Sequence, residues 1–315
     1  MKTKVSYQKY GKGCVRVIKL LKDGDRQDVR EIEVQALLEG DFDVSYYVGD
    51  NAPIVATDSI KNTVYVLSKS HDLKVIEDFA LVLCRHFLKT YNHVSGVIVN
   101  IKEKPWTRLS IAGQEHNHAF QDVSPHIRKT EVRAKRDGSL SITSGLDKLT
   151  LLKTTQSGFT NFVRDKYTTL PETKDRMMKS TIKAEWEFSK QKLGDLEKAS
   201  KLNYNHIFDS SLQSLIQVFA GDPVKGTYSP SVQQTLYDMA TDVLNQQDSV
   251  ELVRITMPNR HNIVFDMTRL GLENKNEIFF PSDEPFGLIE AEVVRGEPPK
   301  TKEGNGARIN QFSKL

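Results

Sequence analysis

Runs of alternating apolar and polar residues predict strands that bury one face. Residues 182–188 are a clear example, because Ile, Ala, Trp and Phe alternate there with Lys and Glu. Asp137 and Gly138 separate two such runs, as expected for an antiparallel hairpin. The other predicted strands are residues 15–21, 31–38, 42–46, 97–102, 132–134, 140–142, 253–257 and 289–293.

Apolar residues spaced three and four positions apart predict four helices between these strands. Residues 57–59, Thr-Asp-Ser, are N-cap residue types, so the first helix is predicted to start there. The second helix follows Asp72. The third is predicted to start at residues 209–210, Asp-Ser, and the fourth at 229–230, Ser-Pro, with Pro in the first turn.

Each half of the chain gives strands, then helices, then strands again. This order predicts an α+β fold of two tandem units, with helices on one face of antiparallel sheets. We place the first unit at residues 1–145 and the second at residues 146–295. Residues 296–315 are polar, rich in Gly and Pro and without a pattern, so we expect a flexible tail. Residue identity between the halves is too low to establish a repeat.

Composition excludes several classes of protein. The 315 residues are 38% hydrophobic and 27% charged, which is typical of a soluble globular chain. A net charge of +3 without a run of five like charges gives no basis for nucleic-acid binding. No apolar stretch reaches the roughly 18 residues of a membrane span, and the N-terminus lacks the apolar segment of a signal peptide. We therefore expect no nucleic acid and no membrane among the partners.

The two cysteines, Cys14 and Cys84, exclude a disulfide framework and have no zinc-site spacing. Cys84 lies in an apolar helical pattern and is predicted to be a buried thiol. The chain ends in Ser313, Lys314 and Leu315, the sequence that an import receptor reads as a peroxisomal address. We therefore predict a peroxisomal location.

Residues 153–176 carry groups that could hold a flat, polar anion. Phe159 offers a ring for stacking, and Arg176 offers a two-pronged donor for paired acceptors. A core Phe and a surface Arg would explain the same residues. The segment resembles the urate oxidase (uricase) family, in which it supplies a stacking Phe, a lining Leu and an Arg that clamps urate. By this resemblance the roles fall on Phe159, Leu170 and Arg176.

Two further motifs resemble the N-terminal part of that family. Lys12 matches a catalytic Lys, and Thr57 matches the Thr that forms a proton-handling dyad with it. Asp58 matches a residue that contacts the purine through its backbone. Helix capping would also explain Thr57, and the two roles are compatible. The start of a helix favours an anion such as urate.

Two motifs in the second half extend the resemblance. Ser231, Val232 and Gln233 resemble the family's SVQ motif, in which the first two residues line the site and the amide hydrogen-bonds urate opposite the Arg. Asn259 and His261 resemble its PNxH motif. Their implied roles are to hold dioxygen or water above the ring and to complete a proton relay.

The resemblance implies the tunnelling fold, in which subunits join their sheets into a β-barrel around a tunnel. It also implies a homotetramer with sites at subunit interfaces. The implied reaction is urate with O₂ and water to 5-hydroxyisourate and H₂O₂, without cofactor or metal. Catalysis would rest on Lys12, Thr57 and His261.

His116 and His118 leave a second interpretation open. On a strand their side chains share a face and could meet one metal ion, with His126 the nearest third ligand. The chain could then be another purine- or pterin-handling enzyme of the same fold, dependent on zinc. A non-catalytic purine-binding protein is the third possibility, although such a protein would not need Lys12, Thr57 and His261.

Overall fold

The structure is a computed structural model that describes residues 3–123 and 125–297. The predicted address at Ser313, Lys314 and Leu315 lies outside the described residues. The first half of the chain forms β1 (Tyr10–Asp23), β2 (Arg26–Gly40), α1 (Asp43–Tyr47), α2 (Thr57–Ser70), α3 (Ile76–Thr90), β3 (Val94–Lys104), β4 (Thr107–Ile111), β5 (Gln114–Gln121) and β6 (Ile127–Lys135). The second half forms β7 (Leu140–Lys153), β8 (Met178–Phe188), α4 (Lys190–Leu193), α5 (Leu196–Ala199), α6 (Tyr204–Ala220), α7 (Val232–Gln246), β9 (Val250–Val264), a 3-10 turn (Thr268–Leu270) and β10 (Phe279–Val294).

Eight strands form one antiparallel sheet in the order β1-β2-β3-β6-β7-β8-β9-β10, and β4 and β5 form a separate hairpin. The two predicted units therefore share one sheet, joined where β6 pairs with β7. Strands β1 and β10 are its edges. Residue 145, where we placed the division, lies inside β7, and the division itself stays a prediction.

Helices cover one face of this sheet, as predicted. Alternate residues of the strands pack against α2, α3, α6 and α7 in a single core that contains Trp186, Phe188 and Phe87. Cys84 is fully buried in it, as its position in the pattern predicts. The other face of the sheet is polar and carries ion pairs between strands, such as Lys129 Nζ of β6 to Glu185 of β8 at 2.8 Å, which spans Gly145 of β7. The alternation of apolar and charged residues thus separates two faces with different surroundings.

The two halves repeat one plan, β-β-α-α-β-β. Arg136, just after β6, donates to the carbonyl oxygens of Leu88, Tyr91 and Val94 at the end of α3. Arg295, just after β10, donates to the equivalent carbonyls at the end of α7, those of Leu244, Gln247 and Val250. In each half an arginine thus ties the last turn of a helix to the first residue of the next strand, and it satisfies one carbonyl that the helix end leaves unpaired, that of Leu88 or Leu244.

The predicted strand at residues 42–46 is wrong, because these residues begin the short helix α1. Phe42 is fully buried with its ring edge against Tyr10, at 4.8 Å between centroids, whereas Val44 and Tyr46 are exposed. Three apolar residues in alternation are too few to distinguish a strand from one helical turn. Of the three apolar residues, only Phe42 packs into the core.

One predicted helix cap and two predicted helix starts need correction. Helix α2 begins at Thr57, but Ala56 is its N-cap and no side chain caps it. Helix α6 begins before residues 209–210, since the side chain of Asn203 caps it by accepting from the backbone N–H of His206. Helix α7 begins after residues 229–230, and its N-cap is Ser231, whose hydroxyl accepts from the N–H of Gln234 at 3.1 Å.

In the part of the chain that the structure describes, no helix is long and apolar enough to cross a membrane.

Candidate active site

A short backbone bridge joins the two loops that carry most of the predicted site. Gly158 N–H donates to the carbonyl of Ser229 at 2.9 Å, and Ser229 N–H donates to the carbonyl of Gln156 at 2.9 Å. Arg176 N–H donates to the carbonyl of Ser157 at 2.8 Å. The segment that carries Phe159 and Arg176 is therefore fixed directly to the residues that precede α7.

Phe159 and Arg176 lie next to each other, and their roles in binding stay predictions. Phe159 exchanges two backbone hydrogen bonds with Thr173, of 2.7 and 3.1 Å. The guanidinium carbon of Arg176 lies 5.4 Å from the centroid of the Phe159 ring, within cation–π range. The Phe159 ring also stacks with Phe162, with 4.8 Å between the ring centroids.

The guanidinium of Arg176 is half-buried and makes no hydrogen bond within the described part of the chain; its Nε lies below the surface without a partner. Burial lowers the pKa of the guanidinium, and nearby Tyr228 partly opposes this shift. A buried donor without an acceptor is unfavourable by about 1–3 kcal/mol. An anionic ligand with paired acceptors would remove that penalty.

Val232 and Gln233 are the first two residues of α7. Val232 is buried and Gln233 is exposed, so the amide of Gln233 is available to a ligand, while the side chain of Ser231 caps the helix. Leu170 is 51% exposed in the loop before Arg176, where the side chain of Arg164 holds its carbonyl at 2.9 Å. Ser231, Val232 and Gln233 thus offer polar and apolar groups at the start of α7.

Asn259 and His261 lie on β9, beside the start of β8. Asn259 pairs with Ser180, four residues after Arg176, and on its other side with Gly287 of β10. His261 pairs with Ser282 and is exposed. A bulge in β10 between Ser282 and Gly287 interrupts the ladder between these two pairs, as is common next to functional sites.

Lys12, Thr57 and Asp58 form a second group at the β1 edge of the sheet. Lys12 begins a bulge in β1, where the register against β2 shifts by one residue before Val15. Cys14 in this bulge has a φ of 54°. The start of β1, before this bulge, is held against the residues that lead into α2, because Val55 N–H donates to the hydroxyl of Tyr10 at 2.7 Å.

The charge of Lys12 is one of the influences that lower the pKa of Asp58. Hydrogen bonding to Lys61, at 2.6 Å, lowers the pKa of Asp58 most, followed by the charge of Lys61. A hydrogen bond from Asn62 and the charge of Lys12 act in the same direction. Thr57 does not cap α2, so its hydroxyl is not committed to the helix. The joint action of Lys12 and Thr57 stays a prediction from the family resemblance.

The two groups of site residues lie toward opposite edges of the sheet. Lys12 is on β1, an edge strand, and Asn259 and His261 are on β9, six strand spacings away. At about 4.8 Å per spacing, the two groups are about 29 Å apart along the sheet. One chain therefore does not bring all the predicted residues into a single site.

His116 and His118 do pair on β5, with ring centroids 4.6 Å apart, but their surroundings differ from the zinc interpretation. Nδ1 of His116 accepts from the N–H of His118 at 3.2 Å, and His126 packs against Phe208 instead of joining them. Among the described residues, no three His, Cys, Asp or Glu gather as metal ligands.

Three residues near the site carried no sequence signal. Lys153 donates to the hydroxyl of Ser229 at 2.6 Å. Tyr228 lies so close to Gly158 that a side chain at residue 158 would collide with its hydroxyl, which gives a physical reason for the glycine. A Lys, Tyr and Gly separated by up to 75 residues form no local motif, and only the fold brings them together.

Comparisons with known proteins agree with this geometry. A family model described as "Uricase" matches residues 8–133 and 142–290. Curated uricases from Danio rerio and Oryctolagus cuniculus are each 40% identical to this chain, and each alignment covers 91% of this chain and 93% of the relative. The solved uricase of Arthrobacter globiformis superposes with a TM-score of 0.85 at 31% identity, over 96% of this chain and 99% of that chain.

The fold is the α+β tunnelling fold that the sequence predicts, built around an antiparallel sheet. The chain belongs to the uricase family. It is accordingly an oxidoreductase, and the reaction is the oxidation of urate. The zinc-dependent and non-catalytic interpretations are not favoured by these matches.

Proposed function

We propose that the chain oxidises urate with O₂ and water to 5-hydroxyisourate and H₂O₂, without a cofactor. The observation that carries this proposal is the Arg176 guanidinium, held beside the Phe159 ring with no hydrogen-bond acceptor among the described residues. Urate is a flat anion whose edge presents paired acceptors. It would stack on Phe159 and accept from Arg176, while the amide of Gln233 binds the opposite edge. Leu170, Ser231 and Val232 would line the site.

The protein's contribution to the chemistry is positioning and proton transfer. Two electrons leave urate and reduce O₂ to H₂O₂, and water supplies the oxygen that bonds to the purine. Asn259 would hold O₂ or water above the ring. Lys12, Thr57 and His261 would move protons between the purine, water and peroxide, and the backbone at Asp58 would contact the purine.

This mechanism needs two copies of the chain. Lys12 and Thr57 lie at the β1 edge, whereas Phe159 and Arg176 belong to the β8–β10 side of the sheet. Both edge strands can accept a further strand, so β1 of one copy beside β10 of another would continue the sheet and bring the two groups together. Exposed apolar residues on β10, including Phe280, Phe286 and Leu288, are consistent with a covered edge. We propose a barrel closed in this way within a homotetramer.

The proposed location is the peroxisome, reached through a receptor that reads Ser313, Lys314 and Leu315. Peroxide would then be released in a compartment suited to it. Deleting these three residues should leave the activity intact and keep a tagged protein in the cytosol, unless it enters with full-length subunits.

The direct test is an assay of purified protein with urate and O₂ in the presence of a strong chelator, after extensive dialysis. Loss of urate absorbance with an equal yield of peroxide is expected. No turnover at all would contradict the proposal and support a binding protein. Turnover that disappears with the chelator and returns with zinc would support the zinc-dependent interpretation based on His116 and His118.

A further inference from the structure

Lys153, the last residue of β7, reaches under the loop that leads into α7. Its ammonium donates to the carbonyls of Phe219 and Thr227, at 3.3 and 3.0 Å, and to the hydroxyl of Ser229 at 2.6 Å. An ammonium has three N–H donors, and all three are used. The side chain therefore ties the end of α6 and the connection 221–231 to the sheet.

This ammonium has no counterion. No carboxylate of the described residues lies within ion-pair distance of Lys153, and burial lowers its pKa to about 8. Its other neighbour is the Phe219 ring, 5.4 Å from Nζ to the centroid. Burying an unpaired charge opposes folding. The three hydrogen bonds to the end of α6 and the connection 221–231 oppose this cost, so the lysine holds these segments in place although its charge has no counterion.

The acceptors of Lys153 lie within the scaffold of the urate site. Ser229 exchanges backbone hydrogen bonds with Gln156 and Gly158, directly before Phe159. Its hydroxyl also accepts from the hydroxyl of Thr235 at 2.7 Å, inside the first turns of α7. One ammonium thus lies at the junction of the Phe159 segment and the start of α7.

The first half of the chain contains an equivalent lysine, Lys19, whose acceptors are not bonded to any predicted site residue. Lys19 of β1 donates to the carbonyls of Ser68, Lys69 and His71 at the end of α2. These acceptors are backbone atoms at the far end of the helix from Thr57, about 20 Å away for a helix of this length. Lys19 therefore serves as a matched control for a lysine that only caps a helix.

We propose that Lys153 is a positioning residue for urate binding, which fixes residues 227–229 so that Gln233 and Phe159 hold one relative placement. The inference rests on the proposed clamp of Phe159, Arg176 and Gln233. Lys153 touches no reacting atom and acts only through Ser229 and the connection 221–231. Its loss should therefore weaken urate binding more than it slows the bound reaction.

The test compares Lys153→Met with Lys19→Met by steady-state kinetics. Lys153→Met is expected to raise KM for urate about tenfold or more, with kcat within about threefold, because binding groups that shift by an ångström lose much of their effect. Lys19→Met is expected to lower the thermal midpoint and leave KM within twofold. An unchanged KM in Lys153→Met, or an equal rise in both variants, would overturn the proposal.

Two further measurements keep the test decisive. Ser229→Ala removes one acceptor and leaves the lysine in place, so it should raise KM in the same direction even if Lys153→Met folds poorly. Hydrogen–deuterium exchange of amides 227–235 should accelerate in Lys153→Met and not in Lys19→Met; equal exchange in both would also overturn the proposal. If the wild-type chain does not turn over urate, the proposed function fails, and the exchange experiment still tests the placement of the loop.

Discussion

The starts of α3 and α7 are equivalent places in the two halves of the chain, and they use their polar groups differently. Both helices have 15 residues, and each begins with a buried apolar residue, Ile76 or Val232. The second residue is Glu77 in α3 and Gln233 in α7. Glu77 is fully buried and accepts from Arg128 and Ser144, each at 2.7 Å. Gln233 is exposed.

An arginine over a phenylalanine ring accompanies each helix start. Arg128 lies 4.7 Å from the Phe208 centroid, and Arg176 lies 5.4 Å from that of Phe159. Both arginines bury an Nε without a hydrogen bond. The outer nitrogens differ: those of Arg128 donate to Glu77 and to Asn205 at 2.7 Å. Those of Arg176 have no acceptor among the described residues.

We interpret the difference as one plan that gives a structural joint, the buried Glu77–Arg128 ion pair, in the first half and the proposed urate site in the second. In the first half the protein itself supplies the anion, Glu77, and the outer nitrogens of Arg128 donate to Glu77 and Asn205. In the second half an uncharged amide replaces the carboxylate, and Arg176, which has no acceptor among the described residues, is the group that we propose binds urate. We therefore expect changes at the first helix start to affect stability, and changes at the second to affect urate binding.

The largest expected effect is on stability at Glu77. Glu77→Ala leaves Arg128 buried without its charged partner, which should lower the free energy of unfolding by about 3–5 kcal/mol. Gln233→Ala, the matched change in α7, should stay within about 0.5 kcal/mol, because an exposed side chain is removed. Denaturant titration of both variants measures this contrast. Equal losses of stability in Glu77→Ala and Gln233→Ala would contradict the assignment of a structural role to the start of α3 and a binding role to the start of α7.

The next effect concerns ligand affinity at Arg176. Arg176→Lys keeps the charge and loses the two-pronged donor, so affinity for the urate analogue 8-azaxanthine should weaken by about 1.5–3 kcal/mol. Arg128→Lys should destabilise the fold and leave the affinity of the folded protein unchanged. Calorimetric titration checks both variants. Wild-type affinity in Arg176→Lys would exclude Arg176 as the clamp.

The smallest expected effect is a pH-dependent one at Asp78, next to the buried Glu77. Burial, followed by the charges of Glu77 and Asp72, raises the pKa of Asp78 to about 6, against the opposing charge of Arg128. The equivalent third residue of α7 is the uncharged Gln234. Because the folded-state pKa lies above the unfolded one, the folded chain binds more protons between about pH 4 and 6. Stability from this group is therefore lost as pH rises through 6.

Asp78→Asn should accordingly stabilise the protein by about 1 kcal/mol at pH 7.5 and by nothing measurable near pH 4. Thermal midpoints of the variant and the wild type at both pH values test this. A gain that is the same at both pH values would mean that the carboxylate's ionisation is not the cause.

The sequence predicts helices and strands well where a long pattern repeats, and poorly where a single residue determines where an element begins. The alternation over residues 182–188 identifies β8, but Phe42 is buried at the start of a single helical turn that no period reveals. Asn203 starts α6, although residues 209–210 have the same cap chemistry. Ser210 lies inside the helix instead, and its hydroxyl donates to the carbonyl of His206. Cap residues are ambiguous because they also fit within a helix.

The site is predictable only as separate motifs. The family resemblance singles out Phe159, Arg176 and Gln233, whereas the residues alone do not distinguish Gln233 from the neighbouring Gln234. Their junction depends on Lys153 and Ser229, whose partners are mostly backbone atoms far along the chain. The Glu77–Arg128 joint was not predicted at all, since a Glu in a helix and an Arg in a strand are ordinary surface residues. The separation of Lys12 from Arg176 follows from strand order, which no local pattern encodes.

The central claim is that a complete site takes Lys12 from one copy and Arg176 from another. The most direct measurement co-expresses Lys12→Met and Arg176→Ala chains under two different tags and assays the protein purified through both. Each variant alone should be nearly inactive, with Lys12→Met lowering kcat roughly 10²–10⁴-fold.

Each interface between unlike copies would contain one intact site and one doubly altered site. The mixed protein should therefore recover roughly a quarter or more of the wild-type activity, as expected for a two-fold interface. A mixed protein no more active than the two variants assayed separately would place Lys12 and Arg176 in the same copy's site and contradict the account.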